Sequence, residues 1–145
     1  MMRENALTKH YSMSDFKTLK VWGKAHELTI HTVRLAVRMR GPGSTTIRNQ
    51  WLRSTMSVPT NIAEGTGKQS DPEFARFLRI ALGSLTESEY HLILSRDLGL
   101  ITSKDFEITN EKTQAVGKML AALIRAISRE KRDSSRPPSL PATSD

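Results

Sequence analysis

Glu87 and His91 are the first pair of side chains whose type and spacing could do chemistry. Four residues apart on a helix, a carboxylate and an imidazole share one face and could provide two metal ligands. A metal site among helices needs matching ligands on a facing helix, and only Glu64, His26 and His31 are candidates for that role. We therefore interpret the pair as a surface interaction and expect neither a metal nor another cofactor.

No other motif predicts catalysis. The loop from Gly65 to Ser70 contains a glycine-lysine pair, but it lacks the spacing of G-x-x-x-x-G-K-[ST] and does not follow a strand. No nucleophile elbow surrounds a serine. The chain has no cysteine, which excludes thiolate catalysis and cysteine-ligated metals. We expect a protein that is not an enzyme.

A row of cations is the remaining chemical feature. On a helix it forms one edge, because its members recur at steps of three and four residues. Cations spaced in this way suit sequence-independent contacts to phosphate groups. The alternative is a solvated face supported by ion pairs such as Lys24–Glu27; the shortage of acids in the row favours binding. The row consists of Lys17, Lys20, Lys24, Glu27, His31, Arg34 and Arg38, and Arg48 and Arg53 could extend it.

The charge balance is compatible with that interpretation. The chain of 145 residues has 22 Lys and Arg against 15 Asp and Glu, a net charge of +7. The excess lies in residues 15–40 and 102–132, whereas residues 70–101 are net acidic. RNA, DNA or an acidic protein surface is the natural partner of a basic surface. Charge alone is equally compatible with a basic protein that has no nucleic-acid role.

Four helical segments must position these residues, and no strand pattern competes with them. Gly41-Pro42-Gly43 separates the first two, and Ser70-Asp71-Pro72-Glu73 is a strong start for the third because a capping side chain precedes an early proline. Gly99 supplies the turn before the fourth, which Thr102 or Ser103 caps. Short connections predict antiparallel neighbours. The segments are residues 14–39, 44–65, 70–98 and 103–132.

The two ends of the chain are predicted to lie outside this all-α, antiparallel up-down four-helix bundle of residues 14–132. Residues 1–13 are polar and unpatterned, so we expect a flexible N-terminal extension, and Met13 could be a second start. Residues 133–145 are rich in proline and serine and are predicted to be disordered. No apolar run approaches a membrane span and no secretion signal is present, so we expect a cytoplasmic protein.

The first helix is apolar on two faces. Four helices in a small bundle do not need two such faces, so the pattern favours an oligomer. We assign the first row to the core, with His26 as a hydrogen-bonded core histidine, and Trp22 and Trp51 to helix packing. The first row is Phe16, Leu19, Trp22, His26, Ile30, Val33 and Val37; the second is Val21, Ala25, Leu28, Leu35 and Met39.

The later helices each show one core stripe and one glycine. Gly83 in the third helix and Gly117 in the fourth are predicted to mark the close approach of another backbone. The stripes are Phe74, Leu78, Ala81, Leu85 and Leu92 in the third helix, and Phe106, Val116, Leu120, Leu123, Ile124 and Ile127 in the fourth.

The segment Ser57–Gly65 has a proline in the middle of the second helix. An interior proline removes one backbone hydrogen bond, at about 3 kcal/mol. Pro59 therefore predicts a kink near the end of this helix, with Gly65 as its stop. Asn61 and Glu64 are interpreted as polar groups that secure the bend.

Three motifs in order resemble one family. They are FKTLKVWGKAHEL at residues 16–28, SVPTNIAEG at residues 57–65 and FLRIALGSLTE at residues 77–87. The combination is similar to the bacterial four-helix-bundle proteins encoded by intervening sequences in 23S ribosomal RNA genes. The resemblance covers about residues 15–130. Asn61, Glu64, Arg79, Gly83 and Glu87 fall on the family's motifs as structural positions.

The resemblance implies a ring-like homopentamer with no catalytic residues. It also implies kinship with the accessory proteins of diversity-generating retroelements, which are basic pentamers that bind reverse transcriptase and nucleic acid. We therefore expect a non-catalytic oligomer that binds RNA or a ribonucleoprotein such as the ribosome through its basic surface. The alternative is a protein-interaction scaffold that does not contact nucleic acid.

Overall fold

A computed structural model describes residues 15–138, and these residues form four α-helices and no strand, which confirms the all-α class. The predicted extension at residues 1–13 and the end of the predicted tail, residues 139–145, lie outside the described residues. The elements are a 3-10 turn at Asp15–Thr18, followed by α1 (Lys20–Ala36), α2 (Ser44–Thr66), α3 (Asp71–Asp97) and α4 (Ser103–Ser135).

Several predicted helix boundaries are confirmed by their capping geometry. The Ser70 hydroxyl accepts a hydrogen bond from the Glu73 amide at 3.3 Å, and the Thr102 hydroxyl accepts one from the Asp105 amide at 3.0 Å. Each cap satisfies an amide that has no partner within its helix. Gly99 has a φ of +70°, the left-handed conformation in which a helix commonly ends.

Two helices differ from their predicted bounds. The first α-helix begins at Lys20 rather than near residue 14, because the 3-10 turn precedes it and Leu19, its N-cap, supplies no side-chain bond. It ends at Ala36, after which the Arg38 and Met39 amides donate to the carbonyls three residues earlier, as in a turn. The last helix continues to Ser135, so residues 133–135 are helical rather than disordered.

The helices pack as a helical bundle in which α2 contacts α1 and α3, and α4 contacts α3 and α1. The side-chain contacts between α2 and α3 run in opposite directions along the two helices. The Thr55 hydroxyl lies 2.7 Å from that of Ser88, and the Ser57 hydroxyl lies 2.8 Å from that of Ser84. Residues later in α2 therefore contact residues earlier in α3, so these two helices are antiparallel, as their short connection predicts.

The core consists of two apolar clusters. The larger lies among all four helices and includes Leu28, Ile62, Leu78 and Leu120, each 1% exposed or less. The smaller surrounds Trp51, which is fully buried as its predicted packing role requires. Every residue of the predicted α3 stripe is buried, and in the α4 stripe Val116, Leu120 and Ile127 are buried while Phe106, Leu123 and Ile124 are half-buried.

The prediction of which α1 face enters the core was wrong. The second apolar row, from Val21 to Met39, is buried, whereas Ile30 and Val37 of the first row are 37% and 48% exposed. Thr32 also lies in the core at 0% exposure. Periodicity cannot decide which of two rows of similar hydrophobicity enters the core. In the structure, α2 and α4 pack on the row with smaller side chains. His26 is accordingly exposed rather than a core histidine.

Within residues 15–138, no helix is long and apolar enough to cross a membrane.

Candidate nucleic-acid interface

The basic edge of α1 lies beside α4, and the two helices enclose a surface groove, hereafter the α1–α4 groove. It consists of two adjoining depressions of about 290 and 370 Å³, which share Glu27 and Lys112. The first is lined by Lys24, Glu27, Leu28, Ile108, Glu111, Lys112 and Ala115, and the second by Glu27, Ile30, His31, Arg34, Leu35, Arg38 and Lys112.

Charge is unevenly distributed along this groove. Around the first depression, Lys24 and Lys112 are matched by Glu27 and Glu111, and Lys24 forms an exposed ion pair with Glu27 at 3.4 Å. Around the second, three cations face one carboxylate. The end that contains Arg34 and Arg38 is therefore where an anion is bound most favourably.

His31 lies in the cationic end of the groove and is held by α4. Its Nε2 lies 2.8 Å from the Thr109 hydroxyl, and that hydroxyl donates its only proton to the Asp105 carbonyl at 2.7 Å. Thr109 must therefore accept the bond from His31, so neutral His31 carries its proton on Nε2 and titrates at Nδ1.

The surroundings of His31 make protonation unfavourable. Burial lowers its pKa below 6.5, and the positive charges of Lys112 and Arg38 lower it further, while Asp105 acts in the opposite direction. Burial and the two neighbouring cations therefore both favour the neutral imidazole in the unliganded groove.

The remaining predicted cations on or near α1 are exposed. Lys17 lies in the 3-10 turn, with its Nζ 5.9 Å from the centroid of the Phe16 ring. Lys20 is the first residue of α1, and Lys24 reaches the less charged end of the groove. The structure therefore brings Lys24, Arg34 and Arg38 to one groove and places the other two beyond its N-terminal end.

Arg48 is occupied by a structural contact. Its Nε donates to the Ala36 carbonyl at 2.9 Å and its Nη2 donates to the Met39 carbonyl, so the guanidinium satisfies acceptors at the C-terminal end of α1. Arg53 is exposed on α2 and lines neither depression of the groove. The predicted extension of the cation row onto α2 does not form a continuous surface with Arg34 and Arg38.

Sequence reasoning missed Lys112. It lines both depressions and lies close enough to lower the pKa of His31. It is 78 residues beyond Arg34, and only the packing of α4 against α1 brings the two together. The usable signal was the i, i+4 apolar pattern of α4, which fixes its inner face and so places Lys112 at the edge of that face.

Pro59 lies buried within α2 without ending the helix. Because it has no amide proton, the Thr55 carbonyl receives no bond from position 59. The Thr29 hydroxyl of α1 lies 3.5 Å from that carbonyl, a weak contact from the neighbouring helix. The Asn61 amide donates to the Ser57 carbonyl at 2.8 Å, which fits its predicted role of securing this segment.

Gly65 is a packing residue rather than a helix stop. The helix α2 continues through it to Thr66. A Cβ at position 65 would lie 2.9 Å from atoms of both Phe74 and Phe77, closer than real Cβ contacts. The glycine is therefore required by the close approach of α3 to α2.

Gly83 and Gly117 differ in their surroundings. A Cβ at Gly117 would lie 3.4 Å from the Leu85 side chain, so α3 packs closely there through a side chain rather than through its backbone. Apart from its chain neighbours and the backbone of α3 itself, nothing among the described residues lies within 4 Å of a Cβ at Gly83. The close approach predicted for Gly83 is therefore not made within one copy of the chain.

The remaining motif residues lie on the outer surface of α2 and α3. Glu64, Arg79 and Glu87 are exposed. The Glu87 carboxylate lies 3.5 Å from the half-buried His91 ring, as the interpretation of a local interaction requires. Among the described residues, no three His, Cys, Asp or Glu side chains converge as a metal-binding group.

The first apolar row of α1 contains an aromatic stack at its N-terminal end. The Trp22 and His26 rings are nearly parallel with centroids 4.9 Å apart, and Phe16 meets Trp22 edge-on at 5.0 Å. Trp22 is half-buried against the larger core cluster and His26 is exposed, so the stack extends from the core to the surface. Ile30 and Val37 of the same row are exposed farther along the chain.

The comparisons with known proteins agree on one family. The pattern of the 23S rRNA-intervening sequence proteins matches residues 17–122. The crystal structure of a protein of unknown function from the S23 ribosomal protein family of Bacteroides thetaiotaomicron VPI-5482 is 30% identical, with a TM-score of 0.65. The match covers 72% of this chain and 97% of that one. A comparison with curated proteins finds no match.

Proposed function

This chain belongs to the 23S rRNA-intervening sequence protein family, and we propose that it is a non-catalytic, cytoplasmic protein that binds RNA through the α1–α4 groove. The observation that carries the proposal is the convergence of Arg34, Arg38 and Lys112 from two helices on one concave surface. Because the cations come from separate helices, the groove is more than one solvated helix face.

The groove suits contacts to the RNA backbone rather than to bases. Arginine forks donate to phosphate oxygens in pairs, and a lysine adds a point charge. Glu27 and Glu111 oppose binding at the other end, so the favourable anion contacts lie at the end with Arg34 and Arg38. We expect binding with little sequence preference, since phosphate contacts carry no base information.

Charge reversal in the groove tests this proposal. In a titration of a labelled structured RNA at low ionic strength, the double variant Arg34→Glu/Arg38→Glu should bind at least about tenfold more weakly than the natural chain, because two attractive phosphate contacts become repulsive. The matched control is Arg125→Glu/Arg129→Glu, which has the same spacing and the same change in net charge. Both control residues are exposed on α4 and neither lines the groove. Equal weakening in the two double variants would refute a groove-specific contact.

We further propose that copies of the chain associate into a ring of up-down four-helix bundles. The outer row of α1, which includes the Trp22–His26 stack and the exposed Val37, is one face that an adjacent copy could cover. Gly83 supplies a second face, because a mid-helix glycine without neighbours allows a backbone to approach from outside. Two different faces make a head-to-tail contact, and such contacts close into rings.

Light scattering tests the association. The natural chain should have the mass of an oligomer, and Val37→Glu should have a lower mass, because a carboxylate would be buried in the contact. Thr45→Glu, at an exposed position on α2, is the control. A monomeric mass for the natural chain would overturn the proposed ring but leave RNA binding by the groove intact.

The alternative function is a protein-interaction scaffold. The exposed Ile80 and Tyr90 on α3 and the acidic charge of that helix could face a partner protein. Co-purification separates the two functions. Nuclease-sensitive RNA supports the groove, whereas a stoichiometric protein without RNA supports the scaffold.

A further inference from the structure

We propose that the α1–α4 groove is a proton-linked phosphate site, in which His31 takes up a proton from solvent when an RNA phosphate binds. The inference rests on the proposed function and adds its regulation by pH. It starts from the position of His31, which lines the groove beside Arg34, Arg38 and Lys112. Its Nε2 is held by the Thr109 hydroxyl of α4.

The hydrogen bonds of His31 leave one atom to titrate. Because the Thr109 hydroxyl donates to the Asp105 backbone carbonyl, it accepts the Nε2 proton of His31. Protonation therefore occurs at Nδ1 and leaves the bond to α4 in place. The ring can gain a charge without losing its anchor, as a site that switches in place requires.

The charges around His31 keep the empty groove unprotonated. Burial opposes protonation, and Lys112 on α4 and Arg38 in the turn after α1 oppose a third positive charge. Asp105 favours protonation. Glu27, four residues before His31 on α1, adds a second carboxylate to the depression. Arg34 also lines this depression and adds to the positive potential.

A bound phosphate reverses this balance. Its negative charge neutralises the field of Arg38 and Lys112 at the ring, so the pKa of His31 rises in the complex. By linkage, a ligand whose binding raises the pKa of His31 binds more tightly as the pH falls. With one proton linked, the affinity rises by at most about tenfold for each unit of pH.

The first arm of the test uses sulfate, a tetrahedral anion that does not itself titrate near neutral pH. The pKa of His31 is followed by NMR through its ring protons, with sodium chloride at matched ionic strength as the reference. We expect sulfate to raise the pKa of His31 in the natural chain and to have a smaller effect in Arg38→Gln. An unchanged pKa of His31 would overturn the proposed phosphate site.

The second arm measures the affinity for an oligouridylate, whose bases do not titrate below neutral pH. Affinity should rise as the pH falls from the pKa of His31 in the complex to its lower pKa in the free protein, and His31→Gln should flatten this dependence while it retains binding at higher pH. His26→Gln, which alters an exposed imidazole on the same helix, is the control and should behave as the natural chain does.

The outcomes separate the two proposals. If the oligouridylate binds with the same pH dependence in the natural chain and in His31→Gln, the proton linkage is wrong and RNA binding stands. If sulfate raises the pKa of His31 but no RNA binds at low ionic strength, the anion site stands and the RNA function is wrong.

Discussion

Arg38 and Arg48 both lie near the C-terminal end of α1 in space, but their guanidinium groups have different surroundings. Arg48 donates to two backbone carbonyls, whereas Arg38 is exposed and lines the groove. An arginine whose donors satisfy a helix terminus contributes to stability, and one that faces an open groove remains available to a ligand. Sequence spacing places both in one cation row and cannot separate these roles.

Replacement of Arg48 should therefore affect folding. Arg48→Met keeps the aliphatic stem and removes two charge-assisted hydrogen bonds, so the free energy of unfolding should fall by about 1–3 kcal/mol. Urea denaturation measures the change. The exposed Arg53→Met is the matched control, with an expected change within about 0.5 kcal/mol. Comparable losses in the two variants would show that the capping contact contributes nothing.

His31 should make stability depend on pH. Its folded-state pKa lies below the ordinary 6.5, so the unfolded chain takes up a proton first as the pH falls. The His31 contribution is thus fully present above 6.5 and is lost as the pH falls from there through the folded-state value. Denaturation above and below 6.5 should show a smaller loss on acidification in His31→Gln than in the natural chain. An identical loss would mean that the folded protein protonates His31 as readily as the unfolded chain does.

At the scale of helices, α1 shows the limit of periodicity. The spacing of its apolar residues predicts two apolar faces, and the structure has both. Which of them enters the core depends on how closely α2 and α4 approach, and the row with Ala25 allows the closer approach. Helix starts at Ser70 and Thr102 were predictable because capping is local. Tertiary packing is not local, so the first row was wrongly assigned to the core.

The two motif glycines should respond in opposite ways to alanine. Gly65→Ala places a Cβ against Phe74 and Phe77 and should destabilise the fold by about 1–3 kcal/mol. Gly83→Ala meets no atom of its own copy, and alanine favours helix by about 1 kcal/mol over glycine. Its folded monomer should therefore be no less stable, while its oligomer should weaken if Gly83 faces an adjacent copy.

Denaturation at several protein concentrations, together with light scattering, checks this pair. Concentration dependence isolates the contribution of association. A Gly65→Ala variant as stable as the natural chain would show that α2 and α3 separate readily. A Gly83→Ala variant with unchanged mass would exclude Gly83 from the interface.

At the scale of the whole molecule, the candidate site depends on the closure of the bundle. Arg34 and Arg38 were predictable from the sequence because of their helical spacing, and the comparisons confirm the family that three motifs indicated. Lys112 and the Thr109 anchor were not predictable, because they approach α1 only when α4 packs against it. The sequence therefore predicts Arg34 and Arg38 of the groove, whereas Lys112 and Thr109 are placed beside them only by the fold.

The salt dependence of RNA affinity tests the central claim most directly. Each phosphate contact adds about 0.7–0.9 to the slope of log affinity against log salt concentration. If Arg34 and Arg38 each contact a phosphate, Arg34→Gln/Arg38→Gln should lower the slope by about 1.4–1.8, whereas Arg125→Gln/Arg129→Gln should leave it unchanged. Undetectable binding of the natural chain at low salt, or the same slope in all three proteins, would contradict the assignment of the α1–α4 groove as the RNA-binding surface.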